Sequence, residues 1–259
     1  MRTIRMEREG ALARLVFDRP DKLNALNENV LRELDGVLSE LEEDRSVRVV
    51  VLHGEGRAFV AGADIGAMAE MGADQAVRFA RLGQRVFDHL EALPQVTIAA
   101  VHGFALGGGM ELAMACDIRV VERSARLGQP EVRLGLIPGF AGTQRLSRLV
   151  GTGWARYLIL TGIQITGEEA HRIGLAEVLA EDGQALETAR KVAAEVLNAG
   201  PTAVALAKRV ILRGRDMPFA VAEAYEAESF AYLFTTGEPR EGLRAFLEKR
   251  KASWMQEEA

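Results

Sequence analysis

One cysteine, Cys116, in a chain of 259 residues excludes an intrachain disulfide and a cysteine-based metal cluster. Histidine is scarce too. His53, His89, His102 and His171 stand far apart, without the four-residue spacing that puts two ligands on one helical face, so no metal site is expected. Nowhere do about 18 apolar residues run together, and Met1 to Gly10 is polar and charged, so the expectation is a cytoplasmic protein without membrane attachment. No Lys/Arg run dominates any segment of a chain whose net charge is −5, and no nucleic-acid partner is expected. Three nucleotide and nucleophile motifs are also missing: the Gly-x-x-x-x-Gly-Lys-Ser/Thr phosphate loop, the Gly-x-Ser-x-Gly elbow and Gly-x-Gly-x-x-Gly. Triphosphatase, serine hydrolase of that type and dinucleotide oxidoreductase all lose weight.

What is present is core-forming material, with 48% of residues hydrophobic and 27% charged. Apolar alternation around Leu12 and Val16 predicts a hairpin over residues 3–17, broken at Arg19-Pro20-Asp21. Leu26, Val30, Leu31, Leu34, Val37, Leu38 and Leu41 recur at the three- and four-residue spacing of one buried helical face. Val47–Leu52, Val96–Val101 and Ile118–Val121 read as buried strands, and residues 75–93 as a helix stopped by Pro94. Thr166 and Glu169 form a candidate capping box, and Leu175–Leu179 is the last extended stretch. The punctuation Asn198-Ala199-Gly200-Pro201 divides a mixed α/β core, residues 1–197, from an all-helical region, residues 198–259, with too little core to stand alone.

Three stretches join small, flexible backbone to an acidic side chain. They are Ala58 to Ile65, His102 to Leu112 with Gly107-Gly108-Gly109 ahead of Glu111, and Leu127 to Glu131, which leads on to Ile137-Pro138-Gly139-Phe140-Ala141-Gly142. Glycines before a helix leave unpaired N–H groups at its positive end, where developing negative charge is stabilised. Two carboxylates beside two such donors suffice for proton transfer next to a carbonyl. Singly, each feature has a plainer reading: close packing at Gly107 to Gly109, a dipole-favoured Glu111, a solvated Glu131.

Taken in order, these stretches resemble the crotonase superfamily, and within it the enoyl-CoA hydratases. The resemblance also covers Arg19-Pro20, Leu23-Asn24-Ala25-Leu26, Gly142-Thr143-Gln144-Arg145-Leu146 and Phe246-Leu247-Glu248-Lys249-Arg250. It implies an α/β fold, a crotonase-like spiral of repeated ββα units with a C-terminal all-helical oligomerisation region. It implies an oxyanion hole from the amides of Ala63 and Gly108, water held by Glu111 and Glu131, and a further contact to that water from Gly139. No cofactor is implied, since coenzyme A belongs to the acyl-CoA substrate. Its implied contacts are Lys22, Leu23, Ala25, Ala61, Asp64, Ile65, Phe140, Phe230 and Lys249, with Arg57 and Arg250 as further phosphate candidates. Gly66, where many relatives carry Lys, and Phe140-Ala141, where they carry smaller residues, depart from the pattern. A homotrimer or homohexamer is implied, in which Phe230 and Lys249 complete a neighbour's site. The alternatives are an isomerase, a specialised hydration such as that of methylglutaconyl-CoA, and an RNA-binding scaffold.

Overall fold

The computed structural model describes residues 3–255. β1 (Ile4–Glu9) and β2 (Leu12–Phe17) form the expected antiparallel hairpin. A 3-10 turn at Pro20–Lys22 then leads to α1 (Glu28–Glu43). Asn27 caps α1 by accepting from Val30 N at 3.0 Å, so the helix starts after Leu26 rather than at it. Leu26 serves instead as an isolated parallel bridge to Ala63, a correction with consequences for the site.

β3 (Val49–Gly54) continues to α2 (Ile65–Met68) and α3 (Ala73–Ala92), followed by β4 (Val96–Val101), β5 (Phe104–Leu106), α4 (Gly108–Met114) and β6 (Ile118–Glu122). β7 (Arg126–Gly128) runs into a second 3-10 turn, Pro130–Leu134, then α5 (Gly142–Thr161), β8 (Gln164–Thr166), α6 (Gly167–Arg172), β9 (Val178–Ala180) and α7 (Ala185–Leu197). Helices α8 (Pro201–Gly214), α9 (Phe219–Leu233) and α10 (Glu238–Leu247) follow, as the absence of strand patterning after residue 198 predicts. At α6 the expected capping box is one-sided. Thr166 Oγ1 accepts from Glu169 N, but the Glu169 carboxylate turns away to Arg172.

The main sheet has the order β1-β2-β3-β4-β6-β9, parallel except for the opening hairpin. Alternation along the strands separates two cores. Val50, Leu52, Ala99 and Val101 face α1 and α3. Val49, Val51, Ile98, Ala100 and Val120 face Ala185, Ala189 and Ala193 of α7, whose four-residue alanine spacing lets that helix lie close to the strands. Beyond that apolar patch, His53 and His102 stack with ring centroids 4.7 Å apart.

A second sheet, β5-β7-β8, was not foreseen, and it is the one that builds the site. Its strands are three residues each, too short to show a period. Cys116 is buried and its thiol is pushed up to about 12, first by burial, so it behaves as a small apolar residue. Among the described residues no helix is long and apolar enough to cross a membrane, and no group of three or more His, Cys, Asp or Glu side chains is placed to hold a metal ion.

Candidate active site

The two glutamates meet because β5 and β7 run side by side. Leu106 pairs with Gly128 in parallel register, and Gly107 N donates to Gly128 O at 2.9 Å. Each strand then leaves the sheet, one into α4 carrying Glu111 and the other into Gln129-Pro130-Glu131. Gly107 sits at a φ of +49°, and a Cβ there would stand 2.8 Å from Glu131 Oε1. A side chain at 107 would therefore push the second carboxylate out of the site.

Glu111 is 1% exposed. Its Oε1 accepts from Phe140 N at 2.7 Å and Gly142 N at 2.6 Å, so two amides hold one oxygen and leave Oε2 free. Its carboxyl is raised to about 7, first by burial and then by the charge of Glu131, against the pull of those amides and of Arg145. Glu131 is also raised to about 7, through burial, with its own backbone N–H opposing. Buried Gln129, its amide assigned so that nitrogen meets the two acceptors, donates to Glu131 Oε1 at 2.9 Å and Oε2 at 3.1 Å. Nothing in the sequence singled out Gln129 except its place between the glycine and the proline.

Backbone donors flank this pair. Gly108 is the first residue of α4, so its N–H has no partner within the helix. In the Leu26–Ala63 bridge, Leu26 N donates to Gly62 O and Leu26 O accepts from Asp64 N. Parallel pairing of this kind turns the N–H of Ala63 itself to the opposite side. That side holds β5, because Val60 bridges Ala105 in parallel register. Ala63 and Gly108 each follow that bridge by three residues, Gly108 by way of the Gly107 turn into α4. Gly109 makes the approach possible, since a Cβ there would collide with the Val60 carbonyl.

The remaining candidates divide. Leu23, in left-handed backbone at φ +48°, and Ala25 and Ala61 line the loops beside Ala63, while Lys22 and Ile65 are exposed at their rim. Asp64 has structural work: it accepts from Arg19 Nη2 at 3.3 Å and caps α2. Buried Asn24 bonds Glu55 O, Ala58 O and Phe59 O, tying the two loops together. Phe140 is buried edge-on against Phe79 and Phe87 of α3, with its ring beside Gly108. Gly139 turns its carbonyl to Gln84 Nε2 at 2.9 Å. Phe230 and Lys249 lie exposed in the C-terminal region, and no hydrogen bond, ion pair or ring contact described for this single chain joins them to the glutamates. Arg250 is engaged by Glu241 and Glu248, which leaves exposed Arg57 the freer phosphate candidate.

Comparison with known proteins shows the family of the whole chain. The family described as enoyl-CoA hydratase/isomerase matches residues 7–257. The short-chain-enoyl-CoA hydratase of Clostridium acetobutylicum is 48% identical over 247 residues, 95% of each chain. The crotonyl-CoA hydratase of Syntrophomonas wolfei is 44% identical over 96% of each. Among solved structures, an enoyl-CoA hydratase from Bacillus anthracis superposes with a TM-score of 0.94 at 37% identity, covering 97% of this chain and 98% of that one.

Proposed function

Because the chain belongs to the enoyl-CoA hydratase/isomerase family, we propose that it adds water in the syn sense across the double bond of a trans-2-enoyl-CoA, giving a 3-hydroxyacyl-CoA. The observation that carries this reading is the pair of buried carboxyls, both raised to about 7, with Glu131 beside Gly107 and its charge acting on Glu111. Burial raises both carboxyls and the charge of Glu131 further opposes ionisation of Glu111, so near neutrality one is poised as base and the other as acid.

In hydration, Glu111 takes a proton from water while the water oxygen bonds to C3. The double-bond electrons move onto the thioester oxygen, where the Ala63 and Gly108 amides stabilise the enolate. Each such donor contributes about 2.7–4 kcal/mol in comparable holes. Glu131 then delivers its proton to C2 as the carbonyl re-forms. Gly139 lies in the turn that holds Glu111 and helps to place the water. Dehydration exchanges the two roles. Coenzyme A serves as the handle of the substrate, with no separate cofactor, and its phosphates meet Lys22 and Arg57 at the rim.

A short acyl chain fits the buried Phe140 ring, which fills the space between α3 and Gly108. The two relatives named above for short-chain-enoyl-CoA and crotonyl-CoA support the same choice. β-Oxidation or a related acyl-CoA breakdown in the cytoplasm is the setting we assign. We further assign residues 1–197 to catalysis and residues 198–259 to assembly into a homotrimer or homohexamer, with Phe230 and Lys249 reaching a neighbour's site. The apolar exposure of the last helices supports this: Phe219 is 82% exposed, Phe246 81% and Leu247 80%.

Incubation with crotonyl-CoA should remove the conjugated-enoyl absorbance, and Glu131→Gln should abolish most turnover without blocking ligand binding. Absence of turnover by the wild type would remove the hydratase reading. An isomerase would instead act on a 3-enoyl-CoA.

A further inference from the structure

Glu111 owes its orientation to a turn, Gly139 to Gly142, and that turn is held from outside. Gln84 of α3 donates from Nε2 to Gly139 O at 2.9 Å, which fixes the plane of the 139–140 peptide. Since N–H and C=O of a trans peptide point in opposite directions, holding Gly139 O on the α3 side aims Phe140 N at Glu111. The next peptide is held by Arg145, whose Nη1 donates to Phe140 O at 3.2 Å. Arg145 is 6% exposed and is anchored in turn by Asp88 Oδ1 at 2.6 Å and Glu91 Oε2 at 3.0 Å. Glu91 also receives Arg215, just beyond α8, at 2.8 Å, so the chain of contacts extends into the C-terminal helices. Ala141 completes the turn at φ +74°, a left-handed conformation that a non-glycine residue adopts only where its surroundings impose it.

Neither Gln84 nor Arg145 meets Glu111 through a direct hydrogen bond, and neither belongs to the two stretches that carry the glutamates. We propose that Gln84 and Arg145 are positioning residues for the reaction assigned above: Gln84 fixes the 139–140 peptide, which aims the Phe140 amide at Oε1 of Glu111, and Arg145 fixes the 140–141 peptide, from which the chain turns through Ala141 to bring the Gly142 amide to the same oxygen, so that Oε2 stays free to exchange a proton with water. The proposal rests on the hydratase reading for its catalytic consequence, but not for its effect on Glu111 itself. The charged groups acting on Glu111 are Glu131, which opposes its ionisation, and Arg145, which favours it. Those acting on Arg145 are Asp88 and Glu91.

The test compares Gln84→Met and Arg145→Met with the wild type. Crotonyl-CoA kinetics should show kcat reduced about tenfold or more with KM within about twofold, the split expected when an interaction matters in the transition state rather than in binding. An infrared titration of the buried carboxyl, with Glu111→Gln as the subtraction, should place Glu111 about one pH unit higher in both variants, because donors to the ionised form are lost. Gln84→Met removes no charge, so it decides the matter even where Arg145→Met leaves Asp88 and Glu91 uncompensated and the chain fails to fold. Unchanged kcat with an unchanged titration in Gln84→Met would overturn the proposal, as would a raised KM with kcat intact. A wild type that leaves crotonyl-CoA untouched would defeat the hydratase reading alone, and the titration would still decide whether the turn governs Glu111.

Discussion

Replacing Glu111 by Gln should destroy activity and stabilise the protein, and the stabilisation should depend on pH. Gln keeps an oxygen to accept from Phe140 N and Gly142 N, so the turn can stay in place. The carboxyl titrates near 7 in the folded chain against 4.5 as the ordinary value. Between those pH values the unfolded chain has released a proton that the folded chain retains, so folding stability falls as pH rises through that window and levels off above it. The full difference corresponds to roughly 3 kcal/mol, of which about 2–3 kcal/mol develops between about pH 5 and pH 8. Gln does not titrate and escapes this loss. Urea unfolding of wild type and variant at both pH values, at one fixed protein concentration because assembly also stabilises, gives the quantity as a difference of differences. A stability gap between the two proteins that is the same at both pH values would refute the reasoning.

His53 should show the opposite slope. Burial, then the neighbouring His102 and Arg14, hold it at about 4 against an ordinary 6.5, so stability is lost as pH falls through that window, by up to roughly 3 kcal/mol, and His53→Gln should abolish this acid sensitivity in urea titrations. The two slopes oppose each other between 4.5 and 6.5, so each becomes visible when the other residue is replaced. Gly83→Ala would place a methyl inside the Phe140 ring; we expect a loss of about 1–3 kcal/mol together with reduced kcat, and partial recovery of both in the double variant with Phe140→Leu. Ala141→Gly relieves left-handed strain worth about 1–2 kcal/mol but frees the unfolded chain, so a net gain of roughly 0.5–1 kcal/mol in unfolding free energy by urea titration is expected.

Legibility in the sequence followed the length of each signal. α1 and α3 repeat an apolar stripe over four or more turns, and β3 and β4 each open on three β-branched residues, so each stood out within two or three residues of its true bounds. β5, β7 and β8 span three residues apiece and carry no period, yet it is their pairing that sets Glu111 beside Glu131. The site was therefore visible only as motifs whose order resembles a family, while the strands that assemble it were not. Leu26 shows the limit from the other direction: it continues the stripe of α1 in phase, but the Asn27 cap starts the helix only at Glu28 and leaves Leu26 to pair with Ala63. Gln84 escaped notice for a different reason: its partner is a backbone carbonyl, which leaves no trace in the residue type it bonds. Arg145 stood inside a motif, but its role depends on the Phe140 carbonyl and on Asp88 and Glu91, far away in sequence.

The buried Cys116 has a practical consequence. With its thiol pushed up to about 12 and sealed in the core, the chain offers no thiolate at neutral pH to react with the free thiol of coenzyme A or with an alkylating reagent. The native protein is thus a blank background for labelling. A cysteine introduced on the exposed face of α9, at Phe230 for instance, would be the one site to carry a fluorophore, and energy transfer between labelled chains would report how those helices come together.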